Sequence, residues 1–207
     1  TPHIFRQKEP IGTGHAIMCA SEILNGPTIV AYADTLIRTK GELDLDADAI
    51  ICVNKVDKPE AFGVVELNDK RQIVNLVEKP KTFVSDLAVI GIYYFKEIQI
   101  LKDSLKKYIN KNLKKEEEYQ INQGILEMIK SGIVFKTNNV DKWMDCGNSE
   151  AAVNTNKELL EIKLNEGLNL RDPSSELINS KIIPPCFIGK NVTIKNSTVG
   201  PGTSIGQ

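Results

Sequence analysis

Two aspartates lie at positions where a carboxylate could bind a metal ion. Asp34 ends the apolar segment PTIVAYAD, and Asp145 lies in the segment KWMDCGN just before a predicted helix. Ligands of open α/β sheets bind where the strands end, and Mg²⁺ prefers carboxylate oxygen. The two aspartates therefore predict one shared Mg²⁺ site, although each of them alone is explained equally well as a residue that caps a turn or a helix.

Charged residues also follow the second strand of a predicted hairpin. Residues 64–67 and 73–77 are predicted strands joined by the turn NDKR, and Glu78, Lys79 and Pro80 come directly after them. Lys79 can pair with a phosphate, Glu78 can accept hydrogen bonds from sugar hydroxyls, and proline ends the strand pairing. The alternative is an exposed ion pair that contributes little to stability.

Glycines mark two further positions of interest. The segment QKEPIGTGHA places a glycine turn before a helix, where backbone N–H groups suit a phosphate or a nucleobase edge. Many helices begin after glycine, so this signal is weak alone. Gly91 interrupts the predicted strand DLAVIGIYYFK, and a glycine inside a strand often marks the close approach of a backbone or a ligand.

The composition excludes several kinds of protein. The 207 residues carry a formal net charge of −1, which argues against general nucleic-acid binding because phosphate affinity needs a surplus of lysine and arginine. No apolar segment approaches the roughly 20 residues needed to cross a bilayer. The four cysteines and two histidines are widely separated, so we expect reduced thiols in a cytoplasm and no zinc site or disulfide framework.

Helical and strand patterns together indicate an α/β protein. PTIVAYAD and ADAIICVNKV are predicted strands buried on both faces, and GTGHAIMCASEILNG is a predicted helix. This order predicts a layered domain with a mainly parallel sheet. Residues 96–131 are predicted to be helical and KWMDCGN to be a turn. A last helix is predicted with Ser149 as its N-cap and Gly167 at its end.

The C-terminal residues have near-hexapeptide spacing. Ile188, Ile194, Val199 and Ile205 are separated by six, five and six positions. This rhythm is typical of a β-helix coil, and one coil alone does not bury its apolar face. We therefore expect more coils beyond residue 207.

The predicted organisation has three parts. A large domain covers 1–166, a linker covers 167–181, and the start of a β-helix covers 182–207. Because the first residue is threonine and the last residues stop inside a repeat, we expect the parent protein to continue at both ends.

Taken together, the order of these motifs resembles the sugar-1-phosphate nucleotidyltransferases, or nucleoside-diphosphate-sugar pyrophosphorylases. QKEPIGTGHAI is similar to the base-binding segment of that family, YADTL to its Gly-Asp strand end, and VEKP to its Glu-Lys-Pro. GIYYF and WMDCGNSEAAVNTN resemble its sugar-pocket strand and its second metal-binding turn. The resemblance implies an α/β Rossmann-like domain with a mixed, mainly parallel sheet that lacks its N-terminal part, followed by the start of a left-handed parallel β-helix.

The resemblance also implies a role for each matching residue. The implied nucleotide contacts are Gln7, Gly12 and Thr13; the Mg²⁺ ligands are Asp34 and Asp145; the sugar contacts are Gly63, Glu78 and Gly91, with Lys79 at the sugar phosphate. Asp34, Lys79 and Asp145 would thus support catalysis.

The implied reaction is direct displacement at the α-phosphorus of a nucleoside triphosphate by a sugar-1-phosphate, with release of pyrophosphate. Glucose-1-phosphate with dTTP or UTP is favoured, while the motifs also suit N-acetylglucosamine-1-phosphate, and WMD also suits mannose-1-phosphate with GTP. The implied partners are these small molecules and further copies of the chain in a homo-oligomer, with no nucleic acid and no membrane.

Three departures from the family pattern leave alternatives open. Ala33 replaces the glycine before the first metal aspartate, Asn148 replaces a threonine or serine, and the glycine-rich loop that holds the triphosphate is absent. We therefore expect residues 1–207 alone not to turn over. The alternatives are a non-catalytic regulatory or assembly subunit and a part of a bifunctional hexapeptide acyltransferase.

Overall fold

The computed structural model describes residues 2–112 and 118–206, with side chains omitted for 109–112. The described chain forms two compact units. The first unit comprises the described residues of 1–33 and 37–143, and the second comprises those of 34–36 and 144–207. The expected boundary after residue 166 therefore differs from the one in the structure, where the helix that starts at Ser149 groups with the C-terminal strands.

Together with a short 3-10 helix at Pro59–Ala61, three α-helices and eight strands occur before residue 146 among the described residues. In chain order they are α1 (Thr13–Cys19), β1 (Thr28–Ala31), β2 (Thr35–Arg38), β3 (Ala49–Lys55), β4 (Gly63–Leu67), β5 (Gln72–Glu78), β6 (Leu87–Phe95), α2 (Ile98–Asn112), α3 (Ile121–Lys130), β7 (Phe135–Asn139) and β8 (Lys142–Asp145).

The central sheet is mixed, but the prediction of a mainly parallel sheet was wrong. Six strands follow the order β1-β6-β3-β7-β5-β4, and β4 also pairs with β6. Only the β3–β7 pair is parallel among these described strands. The apolar runs correctly indicated burial, with Ala49 to Val53 of β3 all buried. Burial on both faces does not determine strand direction, which depends on which strands become neighbours.

Two other sequence predictions also differ from the structure. KWMDCGN contains the strand β8 and not only a turn, and β8 pairs with the unpredicted strand β2 in a separate two-stranded sheet. Strand β1 is not buried on both faces, because its residues alternate and Ile29 is 58% exposed. Among the described strands it lies at an end of the sheet and pairs only with β6.

The two helices α2 and α3 pack together beside the sheet. In α3, Ile121, Gly124, Ile125 and Met128 are buried, which is the three-and-four spacing of one helix face. A Cβ at Gly124 would lie 2.7 Å from Cδ2 of Leu105, so glycine permits this close approach. The prediction of helix over 96–131 is met by α2 and α3, and its residues 113–117 lie outside the described chain.

After residue 146, the described part of the second unit contains a long helix and six short strands. These are α4 (Ser149–Asn165), β9 (Glu176–Ile178), β10 (Lys181–Ile182), β11 (Cys186–Ile188), β12 (Thr193–Lys195), β13 (Thr198–Val199) and β14 (Thr203–Ile205). Strands β9 and β12, β10 and β13, and β11 and β14 pair in parallel. Side-chain hydrogen bonds repeat this offset of 17 residues, as between Asn179 and Asn196. The predicted linker 167–181 therefore contains strand β9, which is part of this repeat.

The ends of α4 differ in one respect from the prediction. Asn148, and not Ser149, is the N-cap, because its Oδ1 accepts a hydrogen bond of 3.0 Å from the backbone N–H of Ala151. Gly167 follows the C-cap with φ 77°, as predicted for a residue that ends a helix. Asparagine caps a helix about as well as serine or threonine, so Asn148 preserves this function where the family pattern has a hydroxyl residue.

Two general features concern the membrane and the cysteines. No helix in the described part of the chain is both long enough and apolar enough to span a membrane. All four cysteines are free thiols.

Candidate functional site

Asp34 and Asp145, called the acidic pair below, come together in the second unit. Asp34 directly precedes β2, and Asp145 is the last residue of β8. A Cβ added to Gly147 would lie 3.1 Å from Oδ1 of Asp145 and 3.5 Å from Oδ2 of Asp34. Two carboxylate oxygens from distant parts of the sequence thus approach one point beside Gly147.

Backbone contacts hold the acidic pair in place. The N–H of Cys146 donates a hydrogen bond of 2.8 Å to the carbonyl oxygen of Asp34. The hydroxyl of Thr155, which is buried on α4, donates one of 2.6 Å to the carbonyl oxygen of Asp145. The N–H of Gly147 donates to Oδ1 of Asp145 at 2.9 Å. The two strands and the helix therefore fix both backbones from which the carboxylates project.

The donor atoms of the acidic pair fit Mg²⁺. Magnesium is commonly bound by one or two carboxylates, with water and substrate phosphate oxygens completing six ligands. Asp34 is exposed and Asp145 is half-buried, so one side is open to such ligands. Within residues 2–112 and 118–206 no group of three or more histidine, cysteine or acidic side chains could hold a metal ion.

In the first unit, the end of the hairpin places Glu78 across from Gly63. The two residues are paired in the antiparallel register of β4 and β5. A Cβ at Gly63 would lie 2.9 Å from Oε2 of Glu78, and Nδ2 of Asn122 donates to the same oxygen at 3.4 Å. Gly63 therefore leaves room for the carboxylate, and α3 supplies a polar partner for it.

Lys79 follows with an unusual backbone conformation. Its φ is 43°, and its backbone N–H donates a hydrogen bond of 3.0 Å to the carbonyl oxygen of Phe62. The side chain of Lys79 is exposed, and no ion pair involves it within the described parts of the chain. Pro80 after it is buried. The hairpin end is thus anchored at the backbone while its ammonium group faces solvent.

Gly91 lies against an aromatic side chain. Its φ is 77°, and a Cβ there would lie 2.7 Å from Cδ2 of Tyr32. The hydroxyl of Tyr93 is hydrogen-bonded to Tyr32. Burial raises the pKa of Tyr93 well above its usual range, and Tyr32 and the negative charge of Glu78 act in the same direction. Gly91 therefore leaves room for the ring of Tyr32, which also packs beside Tyr93 with ring centroids 5.7 Å apart.

A cleft of about 390 Å³ lies beside Glu78 in the first unit. Its lining combines acidic, amide and phenol groups with two leucines: Leu76, Glu78, Tyr108, Glu118, Gln120, Asn122, Gln123 and Leu126. Carboxylates and amides can accept and donate hydrogen bonds to a polyhydroxyl ligand. The volume falls within the range of small-molecule sites.

The N-terminal segment is connected to the same end of α3. The hydroxyl of Thr13 donates to Oε1 of Gln120 at 2.8 Å and accepts from the N–H of Ile121 at 3.0 Å. The N–H of Gly14 donates to the carbonyl oxygen of Tyr119 at 2.8 Å. The Thr13 hydroxyl and the Gly14 N–H thus have protein partners, and Gln120 belongs to the lining of the cleft.

Gln7 and Gly12 form a second contact in this segment. Nε2 of Gln7 lies 3.0 Å from the carbonyl oxygen of Gly12 and 2.9 Å from Nδ1 of His15. Gly12 has φ 121°, and a Cβ there would overlap the backbone of Tyr119. Of the predicted nucleotide contacts, Gln7 therefore has an ordered amide, and Gly12 is required by close backbone packing.

Several polar residues near these positions were not identified from the sequence. Asn122 contacts Glu78, Tyr32 packs on Gly91, and His15 contacts Gln7. Nε1 of Trp143 is buried and has no hydrogen-bond partner in the described chain, while the indole ring contacts Phe62 edge-on with centroids 5.2 Å apart. Of these residues, Trp143 could have been identified from the sequence, because it lies two positions before Asp145 in the segment KWMDCGN.

The sequence matches the family model described as Nucleotidyl transferase over residues 2–162. It is 28% identical over 230 residues to a glucose-1-phosphate thymidylyltransferase of Streptomyces antibioticus, covering 98% of this chain and 62% of that protein. It is also 28% identical over 158 residues to the Bifunctional protein GlmU of Methanococcus maripaludis, covering 74% and 37%. This chain thus spans less than two thirds of the length of these relatives.

The fold is similar to that of a solved UDP-glucose pyrophosphorylase in complex with UDP-glucose. The TM-score is 0.61 at 25% sequence identity, with 76% of this chain and 65% of that chain covered.

Proposed function

Because the chain belongs to the nucleotidyl transferase family, we propose that the protein transfers a nucleoside monophosphate from a nucleoside triphosphate to a sugar-1-phosphate. The favoured substrates are dTTP or UTP and glucose-1-phosphate, in keeping with the thymidylyltransferase relative and the UDP-glucose pyrophosphorylase fold. The products are a nucleoside-diphosphate sugar and pyrophosphate.

The acidic pair is the observation that carries this proposal. Asp34 and Asp145 approach the same point beside Gly147, and their oxygen atoms suit Mg²⁺. When bound there, Mg²⁺ would offset the negative charge of the phosphate oxygens. A helix-capping or turn role for either aspartate gives no reason for the two carboxylates to meet, since Asn148 already caps α4.

The remaining site residues would hold the sugar-1-phosphate. Glu78 and the other polar groups of the 390 Å³ cleft would bind sugar hydroxyls. Lys79 would pair with the sugar phosphate through its exposed ammonium group, because a compact positive charge offsets the repulsion between the two substrates. Gly63 would leave space for Glu78 and for the sugar ring.

In the reaction, a phosphate oxygen of the sugar-1-phosphate attacks the α-phosphorus of the triphosphate. The bond from that phosphorus to the oxygen of the β-phosphate breaks, and pyrophosphate leaves with the electron pair. No covalent intermediate with the protein forms. The protein contributes by orienting two anions in line and by surrounding the phosphate oxygens with positive charge.

The C-terminal strands favour one addition to this proposal. Their parallel pairing at an offset of 17 residues and the near-hexapeptide spacing support the start of a left-handed β-helix. The similarity to the Bifunctional protein GlmU keeps a second, acyltransferase activity as an alternative. A homo-oligomer and a cytoplasmic location stay predictions.

A pyrophosphate-release assay tests the proposed function. Because the chain spans 62% of its thymidylyltransferase relative, the assay uses the protein from the complete gene, with Mg²⁺, four triphosphates and three sugar-1-phosphates. Turnover with UTP or dTTP, abolished in Asp34→Asn and Asp145→Asn, is expected. Nucleotide binding without turnover for any pair would favour the non-catalytic alternative. Acyl transfer from an acyl-coenzyme A, measured separately, would reveal the other alternative.

A further inference from the structure

The amide group of Gln7 has a hydrogen-bonding arrangement that determines which atom it offers to a ligand. Nε2 approaches two atoms, the carbonyl oxygen of Gly12 at 3.0 Å and Nδ1 of His15 at 2.9 Å. A carbonyl oxygen only accepts hydrogen bonds, so the atom that faces Gly12 must be the NH₂ group of Gln7. The orientation of the amide therefore follows from Gly12 alone.

This orientation also fixes the proton on His15. One hydrogen of the Gln7 NH₂ group points to Gly12, and the other is directed to His15. Nδ1 of His15 must then accept, which places the imidazole proton of the neutral ring on Nε2. Both hydrogens of the Gln7 amide are used within the protein. Across residues 2–112 and 118–206, no group donates a hydrogen bond to Oε1 of Gln7.

We propose that His15 is a positioning residue that makes Gln7 an acceptor-only contact for the nucleobase, and that this contact selects uracil or thymine over cytosine. The inference rests on the proposed function and on the nucleotide contact that the family resemblance implies for Gln7. It adds the residue that orients Gln7 and the edge of the base that Gln7 recognises.

The chemistry of the bases gives the direction of selection. Uracil and thymine carry an N–H donor at ring position 3, which Oε1 of Gln7 can accept. Cytosine has a lone pair at that position, so two acceptors would face each other and both would lose a hydrogen bond to water. UTP and CTP share the ribose and the triphosphate, which makes them a matched pair for this comparison.

Removing His15 frees one N–H of Gln7. The amide could then present both a donor and an acceptor, and cytosine would find the donor that its ring nitrogen needs. His15→Phe should therefore bind UTP and CTP more equally than the unmodified protein. His15→Asn places an amide oxygen near the position of Nδ1, so it should restore the acceptor and the selectivity.

The experiment measures UTP and CTP affinities by calorimetric titration of the protein in the presence of Mg²⁺. The variants are His15→Phe, His15→Asn and Gln7→Leu, with His3→Phe as the control at the other histidine, and thermal unfolding is recorded for each. We expect UTP to bind about tenfold or more tightly than CTP in the unmodified protein and in His3→Phe. The ratio of the UTP affinity to the CTP affinity should fall at least about threefold in His15→Phe and recover in His15→Asn. In Gln7→Leu this ratio should approach one.

Three results would overturn the inference while leaving nucleotide binding intact. These are a ratio near one in the unmodified protein, an unchanged ratio in His15→Phe, and an equal loss of both affinities in His15→Phe together with a lower unfolding temperature. A protein that binds neither nucleotide would overturn the proposed function as well.

Discussion

The hydroxyl of Thr155 donates a hydrogen bond of 2.6 Å to the backbone carbonyl oxygen of Asp145. Thr155 lies on α4 and is 7% exposed, whereas Asp145 ends β8. A helix thereby holds the turn that carries one member of the acidic pair. Groups that orient a metal ligand without touching the metal commonly affect its affinity strongly.

Thr155→Val should weaken Mg²⁺ activation more than it weakens the fold. Valine has the shape of threonine but no donor, so the carbonyl of Asp145 loses its partner and the turn can shift. We expect the Mg²⁺ concentration for half-maximal pyrophosphate release to rise about tenfold. Thr155→Ser keeps the hydroxyl and should stay near the unmodified value. Equal Mg²⁺ dependence in the two variants would contradict this positioning role.

Gly147→Ala should also impair Mg²⁺ binding, by crowding. The added methyl group would lie 3.1 Å and 3.5 Å from oxygens of Asp145 and Asp34. Gly206→Ala is a matched control, because nothing lies within 4 Å of a Cβ there. We expect a reduced Mg²⁺ affinity only in Gly147→Ala, measured by titration calorimetry.

The same two variants should show small changes in stability. Neither glycine has a positive φ, so alanine suits both backbones. The free energy of unfolding should change by less than about 0.5 kcal/mol at either exposed position. If Gly147→Ala binds Mg²⁺ as the unmodified protein does, the ion does not lie at the acidic pair.

Lys79→Ala should raise the KM for the sugar-1-phosphate. Removing a charged partner of a phosphate typically costs about 1.5–3 kcal/mol, or about tenfold and more in affinity. Both residues carry a Cβ, so the strain of the positive φ at position 79 is the same in the two proteins. Lys81→Ala removes a neighbouring exposed lysine and serves as the control. Steady-state kinetics with an unchanged KM in Lys79→Ala would refute the assignment.

Local sequence signals predicted several elements and the two aspartates. Strands β4 and β5 were predicted to within one residue at all four of their ends, because alternation and turn residues are properties of a short segment. Asp34 was identified because it ends an apolar strand, and Asp145 because it lies just before a predicted helix. That they share one Mg²⁺ site was a prediction from the common edge of a sheet and stays a prediction, while the structure places one carboxylate oxygen of each within 3.5 Å of a Cβ position at Gly147.

Contacts between distant segments were beyond such signals. The pairing of β2 with β8 joins residues near positions 36 and 144, and neither segment has a pattern that specifies its partner. The antiparallel pairing of β3 with β6 and the contact of Asn122 with Glu78 also join segments that are distant in the sequence, so no local pattern specifies them. The packing of Gly12 on Tyr119 was likewise not predicted, because it depends on a segment far along the chain, and the nucleotide contact of Gly12 stays a prediction.

Gly12→Ala should destabilise the fold severely. Gly12 has φ 121°, and an added Cβ would overlap the backbone of Tyr119, whose N–H also donates to the carbonyl of Ile11 at 2.6 Å. Backbone atoms in a hydrogen-bonded segment have little freedom to move aside.

The control variant Gly132→Ala separates backbone strain from steric overlap, because Gly132 has φ 94° and nothing within 4 Å of an added Cβ. A non-glycine residue at positive φ costs about 1–2 kcal/mol, so Gly132→Ala measures that part alone. We expect Gly12→Ala to lower the free energy of unfolding by at least about 2 kcal/mol more than Gly132→Ala, as overpacking does. Chemical denaturation of both variants measures the difference. Equal losses would mean that Tyr119 moves away freely, and that glycine at position 12 is required for the positive φ alone or for the nucleotide.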